Sequence, residues 1–144
     1  CCMEAFLNQD SLKYQLSARY IYEHWFLAHI YFTSENPQSF FKLVRSSTPP
    51  GEEIKLINTR RPYDDPKVSR VYYRFMQERT TILSKTHLPL ELNEAKLLRL
   101  YEQFIAPDYT VTKMPSYEAK AASNPFKTVI LSALYSCVVW FSII

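Results

Sequence analysis

Apolar and aromatic positions crowd one long stretch near the start of the chain. From Leu12 they fall at Leu12, Leu16, Ala18, Tyr20 and Ile21, an amphipathic spacing. From Tyr20 to Phe32 they cover every direction, which marks a helix buried on all sides by its neighbours. Ser17 to Phe32 reads SARYIYEHWFLAHIYF and still carries Arg19, Glu23, His24 and His29. The pattern predicts a long buried helix capped by Asp10 or Ser11, whose side-chain oxygens can accept from the first free amides. Asn36-Pro37 is expected to end it. Cys2 to Leu7 reads as the end of an earlier helix.

Period-two segments follow. Phe40 to Arg45 and Glu53 to Asn58 read as two extended arms around the reversal Ser47-Thr48-Pro49-Pro50-Gly51. In Val68 to Met76, Val71, Tyr73 and Phe75 alternate with Tyr72, Arg74 and Met76, as in a third strand. Asn93 is placed to cap a second, amphipathic helix that runs to about Ile105 and stops at Ala106-Pro107-Asp108. Tyr109 to Lys113 is expected as a short strand, and Pro115 to Pro125 as an irregular link. The pattern predicts an α+β fold: a long buried helix, a hairpin with short strands, and a second amphipathic helix. With Cys1 in place of a starting Met, the chain is expected to be a fragment of a larger domain. Residues 1–127 form one segment and 128–144 an apolar tail. The uncharged run Val129 to Ile144 would reach roughly 24 Å as a helix at about 1.5 Å per residue, short of the ~30 Å hydrocarbon core of a bilayer.

Composition narrows the chemistry. Of 144 residues, 47% are hydrophobic and 15% aromatic, which excludes a disordered tail and points to a large packed interior or a greasy ligand site. A single glycine, Gly51, leaves no glycine-rich phosphate cradle. Net charge is +3 with both signs interspersed and no long basic run, so nucleic acid is not an expected partner. The three cysteines, Cys1, Cys2 and Cys137, make neither a disulfide framework nor a CxxC or CxxCH motif, and no metal site is expected from them.

The polar residues within apolar stretches are the candidates for chemistry. On one helix, a spacing of five would turn His24 and His29 about 140° apart, too far to share an ion. Each reads as a core histidine bonded to a tyrosine or a carbonyl, with the alternative that one of them faces a cofactor or substrate tunnel. His24 would share a stripe with Tyr20 and Tyr31, and His29 would sit near Tyr22 and Trp25. Arg19 and Glu23, four apart, are expected to neutralise each other. His87 stands in a loop before a proline. Arg60, Arg61, Asp64 and Asp65 lie in a loop stiffened by Pro62 and Pro66. Either the aspartates occupy the arginines, or a free guanidinium holds an acyl carboxylate or a lipid phosphate. No serine elbow, HExxH or Cys/His nucleophile pattern is present.

Several blocks taken in order carry a resemblance: LNQDSLKYQLSARYIYEHWFLAHIYF, FFKLVRSSTPPG, INTRRPYDDP, VYYRF, KTHLP and ASNPF. Over roughly Glu4 to Lys127 they resemble the bacterial fatty acid cis/trans isomerase family. The resemblance implies a periplasmic isomerase that turns cis-unsaturated acyl chains to trans without moving the double bond, stiffening the membrane under stress. It implies a c-type haem attached through CxxCH, with unsaturated fatty acid or phospholipid acyl chains as substrate, a membrane surface nearby and the rest of a longer chain as partner. This chain departs from the family in two ways. It has no CxxCH, so the segment alone is expected to be inactive. After Phe126 it reads VILSALYSCVVWFSII where the family continues with a charged, aromatic segment and a GPVCRGQ block. From the residues themselves, the catalytic candidates are His24, His29 and His87 and the substrate-binding candidates Arg60, Arg61, Tyr20 and Tyr31; the resemblance assigns none of them a role. The alternative is a non-catalytic lipid-associated module or a decayed remnant.

Overall fold

The structure, a computed structural model, describes residues 2–33, 39–78, 89–118 and 125–128. Helices α1 (Cys2–Leu7), α2 (Leu12–Trp25) and α3 (Glu94–Phe104) accompany strands β1 (His29–Phe32), β2 (Phe41–Ser46), β3 (Tyr72–Gln77) and β4 (Pro89–Leu92). The strands form one mixed sheet in the order β3-β2-β1-β4. β2 is antiparallel to β1 and β3, whereas β4 lies parallel to β1. The α+β expectation holds.

The long helix does not run to Phe32. α2 stops at Trp25, the Ala28 amide bonds back to the Trp25 carbonyl at 2.9 Å, and HIYF leaves as β1. His29 and Tyr31 are therefore strand residues, which corrects the placing of both histidines on one helix. The physical reason is that an all-apolar run has no period to separate a buried helix from a buried strand. Here Phe26 and Leu27 make the reversal, with Leu27 61% exposed. Asn36-Pro37, the expected terminator, lies outside the described residues. Ser11 occupies the N-cap of α2 without a side-chain cap, and the helix begins with the Gln15 amide on the Ser11 carbonyl at 3.0 Å.

The hairpin is looser than its pattern suggests. β2 forms, but the second arm joins it through a single bridge between Ser46 and Leu56, two flanking backbone bonds and side-chain bonds such as the Lys55 amide to Ser46 Oγ at 3.2 Å. β2 instead pairs along its full length with β3, from Phe41↔Gln77 to Ser46↔Tyr72. Gly51, the only glycine, has φ of 99° in the reversal, where an L side chain would be strained. Tyr109 to Lys113 forms no strand. β4 escapes pattern reading because its partner β1 is far away in sequence and parallel to it. α3 matches expectation, with Asn93 Oδ1 accepting from the Lys96 amide at 2.8 Å.

Register assigns the faces. Ile30 opposes Phe41 and Leu90, Phe32 opposes Leu92, Leu43 opposes Phe75, and Arg45 opposes Tyr73. Side chains alternate along a strand, so these residues share one face, and α2 covers it where Tyr22 meets Tyr73 at 5.5 Å between ring centroids. His29, Tyr31, Lys42, Val44 and Arg74 point the other way. The outer edge of β3 is covered by α1. The Asn8 side chain bonds both the amide and the carbonyl of Tyr73 at 2.8 Å, and Glu4 accepts from the Phe75 amide at 2.9 Å. This satisfies an edge that would otherwise recruit another strand. Among the described residues no helix is long and apolar enough to cross a membrane. The apolar tail 128–144 lies almost wholly outside them.

Candidate functional site

The apolar sheet face carries one guanidinium. Arg45 is in phase with Phe41 and Leu43 and is 2% exposed. A charge there is tolerated only if its donors are met. Nη1 donates to the Asp64 carbonyl at 3.0 Å, Nη2 donates to Thr59 Oγ1, and the group lies over the Tyr22 ring at 5.2 Å. Its Nε, also buried, finds no acceptor among the described residues.

A second buried cation approaches from α2. Arg19 Nε pairs with Glu23 Oε1 at 2.9 Å, as the spacing of four predicts. Its Nη1 and Nη2 donate to the carbonyls of Pro115 at 2.9 Å and Ser116 at 3.1 Å. The guanidinium stacks over Tyr117 at 4.0 Å. Glu23 Oε2 is buried with no donor among the described residues. Arg19, Glu23, Arg45, Tyr22, Tyr73 and Tyr117 thus form one buried polar cluster, in which α2 carries both members of the ion pair onto the sheet.

The phenols of this cluster are held protonated. Burial drives Tyr73 far above the ordinary phenol range and neighbouring Tyr117 adds to it, against the opposing pull of Arg45 and Arg19. Tyr117 rises through burial, again opposed by Arg19 and Arg45. Tyr22 rises through burial too, with the charge of Arg45 and a hydrogen bond from it acting the other way. The three hydroxyls are neutral donors or acceptors at any physiological pH.

A cleft of about 150 Å³ opens beside the cluster. Leu7, Val68, Val71, Met114 and Pro115 make its apolar wall, and Gln15, Ser69, Arg70, Tyr73 and Tyr117 its polar one. A larger, open groove of about 450 Å³ runs along α3 and β4 between Glu91, Lys96, Leu98 and Glu102.

The residues singled out in the sequence are dispersed. Tyr20 and His24 meet, with ring centroids 4.1 Å apart, and His24 Nδ1 donates to the Tyr20 carbonyl at 2.7 Å. Tyr20 is buried against Phe104 and Phe126, while His24 is exposed. His29 Nδ1 lies 3.1 Å from Glu78 Oε2, and Lys42 Nζ reaches the other oxygen of Glu78 at 3.1 Å. Tyr31 packs edge-on against Phe40. His87 lies outside the described residues. Arg60 and Arg61 are exposed, and the aspartates do not hold their guanidinium groups. Asp64 Oδ2 accepts from the Arg61 amide at 2.9 Å. Asp65 Oδ1 accepts from the Lys67 amide at 2.8 Å, fixing Lys67 at a left-handed φ of 55°. Arg61 stands over Tyr63 at 5.8 Å. Neither of these two cavities is lined by Tyr20, Tyr31, Arg60 or Arg61.

Sequence reasoning passed over Arg45, Arg70 and Tyr117. Arg45 had a signal, because it repeats the phase of Phe41 and Leu43 along a strand whose inner face is apolar. Tyr117 had none, since it lies in an irregular link and is brought to the cluster by tertiary contacts such as its stacking under Arg19. Among the described residues no three of His, Cys, Asp and Glu gather to hold a metal ion.

Compared with known proteins, residues 2–131 match the family model described as Fatty acid cis/trans isomerase (CTI). No curated protein and no solved structure matches the chain.

Proposed function

The chain belongs to the fatty acid cis/trans isomerase family, and on that footing we propose that it serves the conversion of cis-unsaturated fatty acyl chains to trans without moving the double bond. The observation that carries this reading is the family match across residues 2–131, most of the chain. The buried cluster and the half-apolar cleft beside it are compatible with the task. Rotation about a double bond needs the acyl chain held extended, its polar end anchored and water kept away from the reacting carbons. The free guanidinium groups of Arg60 and Arg61 are suited to drawing in an anionic lipid end, a carboxylate or a phosphate. The trans product packs more tightly, so the reading includes a stiffer membrane and, by resemblance, a periplasmic setting.

The family resemblance brings a c-type haem with it, and the residues present do not fit that group. The sequence has no CxxCH. His24 and His29 stand on different elements, and neither lines either cavity described here. No step is therefore assigned to a haem held by these residues. Their part is to bind, orient and exclude water, and a haem would be held elsewhere in the enzyme that carries this segment.

A second reading, a lipid-associated module that catalyses nothing, is favoured by one observation: the exposed Leu56 and Val68 flank the loop that carries Arg60 and Arg61. Incubating the enzyme that carries this segment with palmitoleic acid and separating the methyl esters by gas chromatography decides between them. Trans product with the double bond at its original carbon supports the isomerase. Bound acid that stays cis supports the module, and neither binding nor product removes both.

A further inference from the structure

We propose that the cleft beside Tyr73 and Tyr117 seats the carboxylate end of a free fatty acid, with Arg70 as its anchor. The inference rests on the isomerase reading for the identity of the ligand and on the cleft for its location. Arg70 lines the cleft with one nitrogen already engaged: Nη2 donates to the carbonyls of Asn8 and Gln9 at 3.2 Å and meets Asp10 Oδ1 at 3.3 Å. Its Nε is buried and donates to nothing among the described residues. That N–H has no surface a ligand could reach, so the contact falls to Nη1: the side chain is 25% exposed, Nη1 bonds no group among the described residues, and a carboxylate is the acceptor that best matches a guanidinium. Asp10 is fully exposed, so its pairing with Arg70 is screened by water and leaves the site cationic.

The rest of the cleft suits the other end of the same molecule. Leu7, Val71, Met114 and Pro115 offer hydrocarbon, while the neutral phenols of Tyr73 and Tyr117 bring no charge to repel a carboxylate. At about 150 Å³ the cleft is well below the roughly 300–1,000 Å³ of a site that encloses a whole ligand. It therefore holds the carboxyl group and the first methylenes, and the double bond lies beyond its mouth. Anchored this way, Arg70 acts as a positioning residue: it fixes how far along the chain the reacting carbons fall.

Titration calorimetry of the purified chain with oleic acid and with methyl oleate tests the assignment, since the ester keeps the hydrocarbon and loses the carboxylate. Oleic acid is expected to bind at least tenfold more tightly than the ester. Arg70→Gln should bring the acid down to the ester's affinity and leave the ester unchanged, with Arg70→Lys restoring part of the preference. Met114→Trp, which fills the cleft and spares every Arg70 contact, should weaken both ligands and keeps the test open if Arg70→Gln does not fold. Equal binding of acid and ester, or an acid preference that survives Arg70→Gln, overturns the proposal. Acid preference lost in Arg70→Gln with no trans product from the wild-type enzyme would keep the cleft and remove the isomerase reading. Trans product with no role for Arg70 would do the reverse.

Discussion

Arg45 and Tyr73 stand directly opposite each other across β2 and β3, on a sheet face that also carries Ile30, Phe32, Phe41, Leu43 and Phe75. A guanidinium and a phenol thus occupy the place where this face would ordinarily continue with aliphatic side chains. The arrangement holds because α2 lays the Tyr22 ring against Arg45, while the loop after β2 supplies its acceptors, the Asp64 carbonyl and Thr59 Oγ1. Its consequences for stability and chemistry can be measured.

Tyr73 makes the fold sensitive to alkali. Its folded pKa is raised, so the folded state keeps a proton that the unfolded chain releases above about pH 10. Its stabilising contribution is complete below that pH and is lost as pH rises further. Tyr20, Tyr22, Tyr109 and Tyr117 are shifted the same way by burial and add to the slope. Urea melts should show stability constant from pH 8 to about 9.5 and then falling, with Tyr73 alone contributing a slope that approaches about 1.4 kcal/mol per pH unit. Tyr73→Phe should flatten that fall, and an unaltered slope would exclude Tyr73 as a contributor.

Arg19 and Glu23 predict a strongly non-additive pair. Arg19→Met leaves Glu23 as a buried charge with neither oxygen paired and should cost about 3–5 kcal/mol. Glu23→Leu is milder, because Arg19 keeps the carbonyls of Pro115 and Ser116. The double substitution should cost less than the sum of the two, by more than about 1 kcal/mol in chemical denaturation. Additive losses would mean that the pair is solvated in the native chain.

Much of this fold was readable in advance and some was not, for reasons that differ by element. α3 announced itself through Asn93 and a clear amphipathic spacing, and β2 and β3 through alternation. The end of α2 was hidden, because Trp25 to Phe32 is apolar but for His29 and the reversal uses Phe26 and Leu27 where a glycine or asparagine would have marked a turn. β4 was hidden by distance, since its parallel partner β1 follows a helix near the other end of the sequence. The Arg19–Glu23 pair was legible because both members lie on one helix, four apart. The wider cluster and the cleft were not, because their walls come from α1, α2, β3 and the links that contain Arg70 and Pro115. Local spacing carries no information about such a meeting.

Asn8 tests whether α1 protects the edge of the sheet. Its side chain supplies both partners of Tyr73's outward backbone groups, so Asn8→Ala leaves an amide and a carbonyl without their protein partners on β3. A loss of about 1–3 kcal/mol is expected. Hydrogen exchange at the Tyr73 amide should accelerate, while the Leu43 amide on the inner strand β2 follows only the global loss. Unchanged protection at Tyr73 would show that the strand edge is held by something other than α1.

Arg60 and Arg61 should separate ligand capture from folding. Both are exposed, and the carboxylates of Asp64 and Asp65 are turned to backbone amides, so the double substitution to alanine removes no ion pair among the described residues. Stability should stay within about 0.5 kcal/mol of the parent. If these groups draw in the anionic end of a lipid, stopped-flow association with oleate should slow several-fold at low salt. The difference should shrink above about 0.15 M salt, where screening cuts off attraction beyond roughly 8 Å. Methyl oleate, which carries no charge, should associate with parent and variant at the same rate. A salt-independent loss for both ligands would instead mean that the loop makes direct contacts with the hydrocarbon. Unaltered rates for oleate would leave the loop as a structural turn, with the cleft at Arg70 as the cationic site in play.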